Sequence, residues 1–505
     1  YSRLLKYATR IRQLYDMKFD ITSKIAKLEL PLYELNKWIP GSNFVVKKPG
    51  KNILTNTISI DSRAIYRNSL FFSIKGANYD GHSFLQEVKK KHAIAAVIDK
   101  RVVTNSVIKM VDQSFFLLAV DSVLEALGKI AGEIRESWHG KLISVTGSNG
   151  KTTAKGLIAN ILKKEVGEES RFSSYGNQNN HIGVPLNLMR LSSQNKFAVI
   201  EMGMNQVGEI SKLSSMVKPN FSLIVNAQRE HQEFLGSVRK TAHENGKVIT
   251  YLTENNIVIF PKDIDNEDVW WKLVNENMSK VFRFSLKNDF SSFENEKNIR
   301  EITCEILTNN PLLIKLEIDG ALIGNVRLNG LGEHFARTAT GAVAASIALG
   351  ISHESILEGL KTFMPIKGRG NFHHLNNGSI VVDDSYNANP DSVHAAIKTM
   401  LGVQGRKAMI LGDMAELGKD SPFFHQDILC FAVKHLDEVF LFGKQFTEAS
   451  QNLKCGRSYL SRKKLEEDVR VWLNSYSCKK KSTLLWIKGS RASNLDVIVN
   501  CLLST

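Results

Sequence analysis

Cysteine is sparse in this chain. Cys304, Cys430, Cys455, Cys478 and Cys501 are scattered through 505 residues with no C-x-x-C pair and no metal-ligand spacing. That scatter excludes a disulfide framework and a zinc ribbon, and it fits a reducing compartment. Long apolar runs are missing too. No window of about 18 residues is predominantly apolar, so no membrane span is expected. Proline is limited to 10 residues, and a chain 43% hydrophobic and 23% charged is an ordinary globular protein, neither disordered nor collagen-like. At roughly 100–200 residues per domain, the length suggests about three domains.

Acidic residues are outnumbered, and the formal net charge is +15. Such a balance suits nucleic acid, an anionic membrane surface or polyanionic small substrates. The basic residues are nevertheless spread thinly. The densest runs, Lys89-Lys90-Lys91 and Lys479-Lys480-Lys481, lack the interleaved aromatics of a single-strand binding groove. A solvated basic surface is the expectation, with no nucleic-acid partner. Residues 1–30 carry seven Lys/Arg and three Asp/Glu without a continuous apolar stretch, so they do not read as a secretory signal. They are taken as an accessory helical extension of unassigned role.

What is present is a series of short apolar runs ending in glycine, polar or acidic residues: Leu142–Gly147, Phe197–Gly203, Phe221–Ala227, Ile380–Asp384, Ala408–Asp413, Val439–Gly443 and Leu484–Gly489. Their lengths suit strands buried on both faces of a parallel sheet. Helix-period segments lie between many of them, such as Thr152–Val166 with Leu157, Ile158, Ile161 and Leu162 in one stripe. The expected class is therefore α/β, doubly wound, with ligands outside the carboxyl ends of the strands. Three blocks follow the extension: 31–137, closing in a helix over Asp121–Trp138; 138–363; and 364–505, opened by the Gly- and Lys/Arg-rich turn at Lys367-Gly368-Arg369-Gly370.

The sharpest motif opens the second block. Leu142-Ile143-Ser144-Val145-Thr146-Gly147-Ser148-Asn149-Gly150-Lys151-Thr152-Thr153 is a strand, a Gly-rich turn and a helix start. Position 145 is valine where G-x-x-x-x-G-K-[ST] has its first glycine, yet the physics of a phosphate loop is intact. Gly147 and Gly150 allow a tight turn that aims N–H groups at phosphate oxygens, and the helix adds its positive end. Lys151 reaches the outer phosphates, and the Thr152 hydroxyl suits Mg²⁺. Magnesium needs further hard ligands. Two strand ends offer Glu201 and His231, each of which would be taken as structural if it stood alone.

With these residues in view the chain resembles a Mur ligase over about residues 32–500. The resemblance rests on Asp61-Ser62-Arg63, Lys75-Gly76 and Asp80-Gly81-His82-Ser83-Phe84 in the first block. In the second it rests on the phosphate loop, Gly176-Asn177-Gln178-Asn179-Asn180-His181-Ile182-Gly183, Glu201-Met202-Gly203 and His231. In the third it rests on Gly368-Arg369, Asp383-Asp384-Ser385-Tyr386-Asn387-Ala388-Asn389-Pro390, Leu411-Gly412-Asp413-Met414-Ala415-Glu416-Leu417-Gly418 and Lys488-Gly489-Ser490-Arg491. The phosphate loop alone does not separate Mur from folylpolyglutamate-type ligases. The third-block set resembles the dipeptide-adding member, and Asp-Asn-Pro-Arg, which marks the diaminopimelate-adding one, is lacking.

The resemblance implies three domains: a small α/β UDP-substrate domain, a central P-loop ATPase domain with a mostly parallel sheet, and a Rossmann-like C-terminal domain. It implies an ATP- and Mg²⁺-dependent ligase of peptidoglycan synthesis that is cytoplasmic, bacterial and monomeric. Its substrates would be UDP-N-acetylmuramoyl-tripeptide and D-alanyl-D-alanine. ATP would phosphorylate the free carboxylate, and the amine would attack the acyl phosphate. Carried over residue by residue, Lys151, His181, Glu201 and His231 are catalytic. Gly147, Ser148, Asn149, Gly150, Lys151, Thr152, Thr153, Arg369 and Asp384 hold ATP, and Thr152, Glu201 and His231 serve the metal. Ser62, Arg63, Asn177, Asn180, Tyr386, Asn387 and Asn389 face the substrates.

Two departures qualify the resemblance. Asn245 stands where many members carry a carbamylated lysine that helps hold a second Mg²⁺, with Lys247 as the alternative under an alignment slip. The family's His-Asn-x-x-Asn reads His334-Phe335-Ala336-Arg337-Thr338, which removes two amides and leaves Phe335 to stack on adenine. The rival readings are a related ligase with another acceptor or amine, and a nucleotide-binding homologue without ligation.

Overall fold

Apolar strand runs and amphipathic helices sort into three sheets in the computed structural model, which describes residues 25–262, 264–277, 279–287, 299–475 and 483–504. Cys478, the lysine run at 479–481 and most of the extension lie outside the described residues. The chain divides into two compact units, Tyr1–His139 with Tyr175–Ser193, and Gly140–Ser174 with Gln194–Thr505.

The first unit holds a six-stranded sheet in the order β1-β3-β4-β5-β6-β2. Its strands are β1 (Ile25–Pro31), β2 (Asn43–Phe44), β3 (Leu54–Ser59), β4 (Ser69–Phe72), β5 (Ala95–Asp99) and β6 (Phe116–Val120). β3 to β6 run parallel, with β1 and β2 antiparallel at the edges. Strand β1 takes in residues 25–30, which the sequence places in a helical extension; its segment instead pairs with β3 from Ile25 opposite Ser59. Helix α1 (Val123–Ser137) closes the first block, with Ser122 capping it through Glu125 N.

In the second unit the larger sheet runs β15-β14-β13-β12-β11-β10-β7-β9-β8. It comprises β7 (Lys141–Thr146), β8 (Arg171–Ser173), β9 (Phe197–Glu201), β10 (Phe221–Ile224), β11 (Ile257–Pro261), β12 (Lys280–Leu286), β13 (Ile299–Asn309), β14 (Leu312–Ile318) and β15 (Ala321–Leu328). The strands from β8 to β13 are parallel, and β13, β14 and β15 form an antiparallel meander that short-run patterning does not reveal. Helix α2 (Lys151–Val166) follows β7 and buries Leu157, Ile158, Ile161 and Leu162, the stripe expected from its period. The short helix α3 (Gly183–Leu188) belongs to the first unit. Helix α4 (Glu209–Val217) follows β9, while α5 (Val238–Gly246) and α6 (Gly332–Leu349) bring Asn245 and Thr338 beside the phosphate loop.

The remaining sheet of this unit runs β16-β17-β21-β18-β19-β20. Its strands are β16 (Asn371–His374), β17 (Ile380–Asp384), β18 (Arg406–Gly412), β19 (Glu438–Phe442), β20 (Arg457–Tyr459) and β21 (Thr483–Lys488). All but β16 are parallel. Helix α7 (Pro390–Leu401) starts at a capping box between Asn389 and Ser392, and α8 (Ser421–His435) and α9 (Lys444–Leu453) pack beside it or beyond. Among the described residues no helix is long and apolar enough to cross a membrane.

Candidate active site

The phosphate loop is built where β7 ends and α2 begins, and two glycines make it possible. Gly147 sits at φ +129°, and a Cβ there would meet the backbone of Val225 and Asn226 at 3.0 Å. Gly150 is left-handed at φ +82°, with the Thr338 hydroxyl 3.0 Å from where a Cβ would lie. Val145, in the place of the motif's first glycine, is fully buried in β7 and contributes to the core.

The sequence aims the N–H groups of this turn at phosphate, and the structure corrects part of that. Asn226 Oδ1 accepts from Ser148 N (3.2 Å) and Asn149 N (2.9 Å), while its Nδ2 donates to Asn149 O (2.9 Å). Asn245 Oδ1 accepts from Gly147 N (3.0 Å) and from Thr146 Oγ1 (2.7 Å). These carboxamides from neighbouring elements brace the turn. The donors left for an anion are those of the first turn of α2, over Lys151, Thr152 and Thr153, which lack intrahelical acceptors by construction.

Lys151 is nine-tenths buried and lies back along the loop, donating to Ser148 O (2.9 Å) and Gly147 O (2.5 Å) and pairing with Glu230 Oε1 at 2.8 Å. Thr152 Oγ1 donates to Glu201 Oε1 at 3.1 Å, so these two metal candidates are adjacent. Glu201, 1% exposed, also pairs with Lys155 Nζ at 3.1 Å. His231 is spent differently: Nδ1 lies 2.5 Å from Glu416 Oε2 and Nε2 3.6 Å from Glu230 Oε1. Among the described residues no group of three or more His, Cys, Asp or Glu is arranged to hold a metal.

A seam of polar contacts joins the phosphate-loop part of the second unit to its C-terminal part. Asn149 and Asn389 exchange amide hydrogen bonds at 3.3 and 2.9 Å, Asn389 serving also as the cap of α7. Arg229 grips Asp391, in the first turn of α7, through its backbone N (2.7 Å) and guanidinium (2.9 and 3.0 Å). Glu416, whose backbone is left-handed at φ +61°, accepts Glu233 N at its carbonyl as well as facing His231. His425 holds that loop from behind. Fully buried, it accepts Met414 N on Nε2 (3.0 Å) and donates from Nδ1 to Ser421 O (2.7 Å), and burial pushes its pKa down.

Arg369 lies over the Tyr386 ring at 4.0 Å, and its turn is held by the buried Asp383, which accepts Gly368 N at 3.0 Å. Asp384 pairs with Lys488 Nζ at 2.7 Å and accepts from Trp486 Nε1 at 3.3 Å. The exposed Asn387 offers its carbonyl to the same ammonium at 3.0 Å. In the first unit, Ser62 is buried and Arg63 is exposed, paired with Asp61 at 2.6 Å. There too lie the exposed His181, Asn177 and Asn180; Asn180 Oδ1 accepts from Ile182 N and Gly183 N.

One further expectation changes, at Phe335, while Asn245 lies where the sequence places it. Phe335 is a core residue, 7% exposed and tilted against Phe363 at 6.4 Å, so its ring is not a platform for adenine. Asn245, not Lys247, reaches the phosphate loop; Lys247 is half-exposed, lining a groove with His243 and Lys272. Lys155, Asn226, Glu230, Asp391 and His425 were not singled out from sequence. Lys155 was the most accessible of these, since four residues after Lys151 it shares that helix face.

A fold and a site of this kind define a nucleotide-dependent ligase of the Mur type, and the comparisons agree. Three family models match: Mur ligase family, catalytic domain, over 55–135; Mur ligase middle domain over 145–346; and Mur ligase, glutamate ligase domain, over 368–491. The chain belongs to the Mur ligase family. It is similar to the UDP-N-acetylmuramoyl-tripeptide--D-alanyl-D-alanine ligases of Haemophilus influenzae (30% identity, covering 89% of this chain and 94% of the relative) and Buchnera aphidicola subsp. Baizongia pistaciae (32%, 90% and 93%). Among solved structures it resembles MurF from Acinetobacter baumannii, with a TM-score of 0.81 and 26% identity over 95% of this chain and 100% of that one. MurF from Thermotoga maritima in complex with ADP shares the fold, with a TM-score of 0.74 at 24% identity over 88% and 97% of the two chains.

Proposed function

We propose that this chain joins D-alanyl-D-alanine to UDP-N-acetylmuramoyl-tripeptide in an ATP-dependent reaction of peptidoglycan precursor synthesis. The observation that carries the reading is similarity along nearly the whole chain to ligases so named. The third-block residues Tyr386 to Pro390 and Gly412 to Gly418 supply the local support.

The chemistry follows from the substrates. A carboxylate is a poor electrophile at neutral pH and phosphate a good leaving group, so ATP activates the tripeptide's terminal carboxylate as an acyl phosphate, which the dipeptide amine then attacks. Both steps gather negative charge. Lys151 exchanges its loop carbonyls and Glu230 for phosphate oxygens, and the first-turn N–H groups of α2 add fixed positive dipole. Thr152 and Glu201 form a small hard-oxygen site that fits Mg²⁺, an ion that keeps waters and takes one or two protein oxygens beside phosphates. When bound, the metal offsets phosphate charge. Lys155 orients the Glu201 carboxylate. Arg369 and Asp384 are assigned to the nucleotide from the C-terminal side; Tyr386, Asn387 and Asn389, with Ser62, Arg63, Asn177 and Asn180, are assigned to the substrates, and His181 to offsetting the negative charge that builds in both steps. His231 is assigned to holding the seam with Glu416.

The same reading assigns substrate binding to 31–137, extended back to the strand at Ile25, nucleotide binding to 138–363 and closure to 364–505, in a monomer acting in the bacterial cytoplasm. The test is product formation by purified chain with ATP, Mg²⁺, UDP-N-acetylmuramoyl-tripeptide and a panel of amines. Phosphate release requires both the tripeptide and D-alanyl-D-alanine; equal turnover with another amine, or nucleotide binding without turnover, overturns the reading.

A further inference from the structure

Asn245 is fully buried at the carboxyl end of β7, and its two amide atoms are not interchangeable. Gly147 N–H can only donate, so the atom facing it at 3.0 Å has to be the carbonyl oxygen, which also takes the Thr146 hydroxyl. The NH₂ group is thereby turned the other way. There it is buried with no acceptor among the described residues. A buried donor left without an acceptor is costly, and native proteins rarely keep one without a use.

Of the acceptors around the loop, Glu230 Oε2 is buried without a hydrogen-bond partner and is not bonded to Asn245, while others are engaged. Asn226 Oδ1 holds Ser148 N and Asn149 N, Glu230 Oε1 holds Lys151, and Glu244 Oε1 holds Gly208 N and Ile210 N. Asn245 approaches β7, whose neighbours β9 and β10 lead to Glu201 and to the 226–231 loop, the place where an α/β sheet receives its ligand. An amide nitrogen has no lone pair for a cation and is a donor only. Its complement is an acceptor oxygen, and beside a helix N-terminus at the end of a parallel strand an anionic one is favoured.

We infer that Asn245 Nδ2 donates to a phosphate oxygen of the bound nucleotide, so that one side chain shapes the loop with its oxygen and binds the ligand with its nitrogen. The inference rests on the nucleotide reading of the loop. Asn245 is then a nucleotide contact that works without metal, which sets how it is tested.

ADP binding to the full chain is measured by calorimetry in EDTA, for wild type, Asn245→Asp, Asn245→Leu and Lys151→Ala, with circular dichroism confirming the fold of each. Asn245→Asp keeps acceptors for Gly147 and Thr146 but loses the donor; Asn245→Leu loses the donor without adding charge. Both are expected to weaken ADP about 10-fold or more, the worth of a hydrogen bond to a charged group. Asn245→Ala replaces the leucine variant if that one does not fold. Wild-type affinity in the neutral variant, whether or not Asn245→Asp is weakened by repulsion, overturns the inference. If Lys151→Ala also binds ADP as wild type does, the loop reading itself has failed; if only Lys151→Ala loses binding, the loop reading stands and the role of Asn245 falls.

Discussion

Lys151 is the fixed positive charge inside the phosphate loop, and its ammonium already has a carboxylate in reach at Glu230. Lys151→Ala is expected to cut turnover by at least roughly 10²–10³ with circular dichroism unchanged, since a preorganised charge aimed at a developing anion is worth that much. Near wild-type turnover would remove the loop from the mechanism. Glu201→Gln keeps the size of the side chain but weakens both the Lys155 pair and the metal oxygen, so the Mg²⁺ concentration for half-maximal rate should rise while the affinity for the nucleotide tripeptide changes much less. His231→Ala separates two roles: with the ring held by Glu416, the Mg²⁺ titration should superimpose on wild type even where the rate falls, and a shifted titration would return His231 to the metal. Asn245 has no amine to carry a carbamate, so activity should not respond to bicarbonate; a rise that Lys247→Met abolishes would move the modification to Lys247.

Elements hold these residues, and here sequence and structure part company. The strand ends carrying the site were legible because buried parallel strands read as short apolar runs stopped by polar residues, and β17 spans the expected Ile380–Asp384 without change. The stripe of α2 was legible for the same reason. The seam was not, because Arg229 with Asp391, and His231 with Glu416, are pairings across more than 160 residues that no local period encodes. Nor could the sequence say that two asparagines occupy the loop's N–H groups, since that depends on where β10 and α5 stop. A double-mutant cycle on Arg229→Ala and Asp391→Ala should give a coupling of about 1 kcal/mol, since the guanidinium is 37% exposed and solvent screens it; zero coupling would make the contact incidental. The loop before α8 carries a pH signature. His425 is held neutral, so protons bind the unfolded chain better than the folded one, and the stability it contributes is complete above about 6.5 and lost as pH falls below that. The melting temperature of wild type should drop more steeply below pH 6.5 than that of His425→Gln, and parallel curves would contradict this.

For the molecule as a whole, nucleotide and stability are linked. A ligand at 100 times its dissociation constant stabilises the folded state by about 2.7 kcal/mol, so saturating ADP should raise the melting transition and Lys151→Ala should cancel that rise. The loop also has a chemical lifetime. Asn149-Gly150 and Asn245-Gly246 are both asparagine–glycine steps, the pairing in which the following amide nitrogen most readily attacks the side-chain carbonyl and releases ammonia. In the folded protein each asparagine is pinned, Asn149 between Gln228 and Asn389 and Asn245 against Gly147, and Gly246 ends a helix. That attack needs rotations which these contacts forbid, so the bracing that shapes the loop also protects it from ageing. In the folded protein these two steps should therefore keep their asparagine longer than the exposed Asn377-Gly378, that advantage should vanish once the chain unfolds, and ADP, by keeping the chain folded, should preserve it.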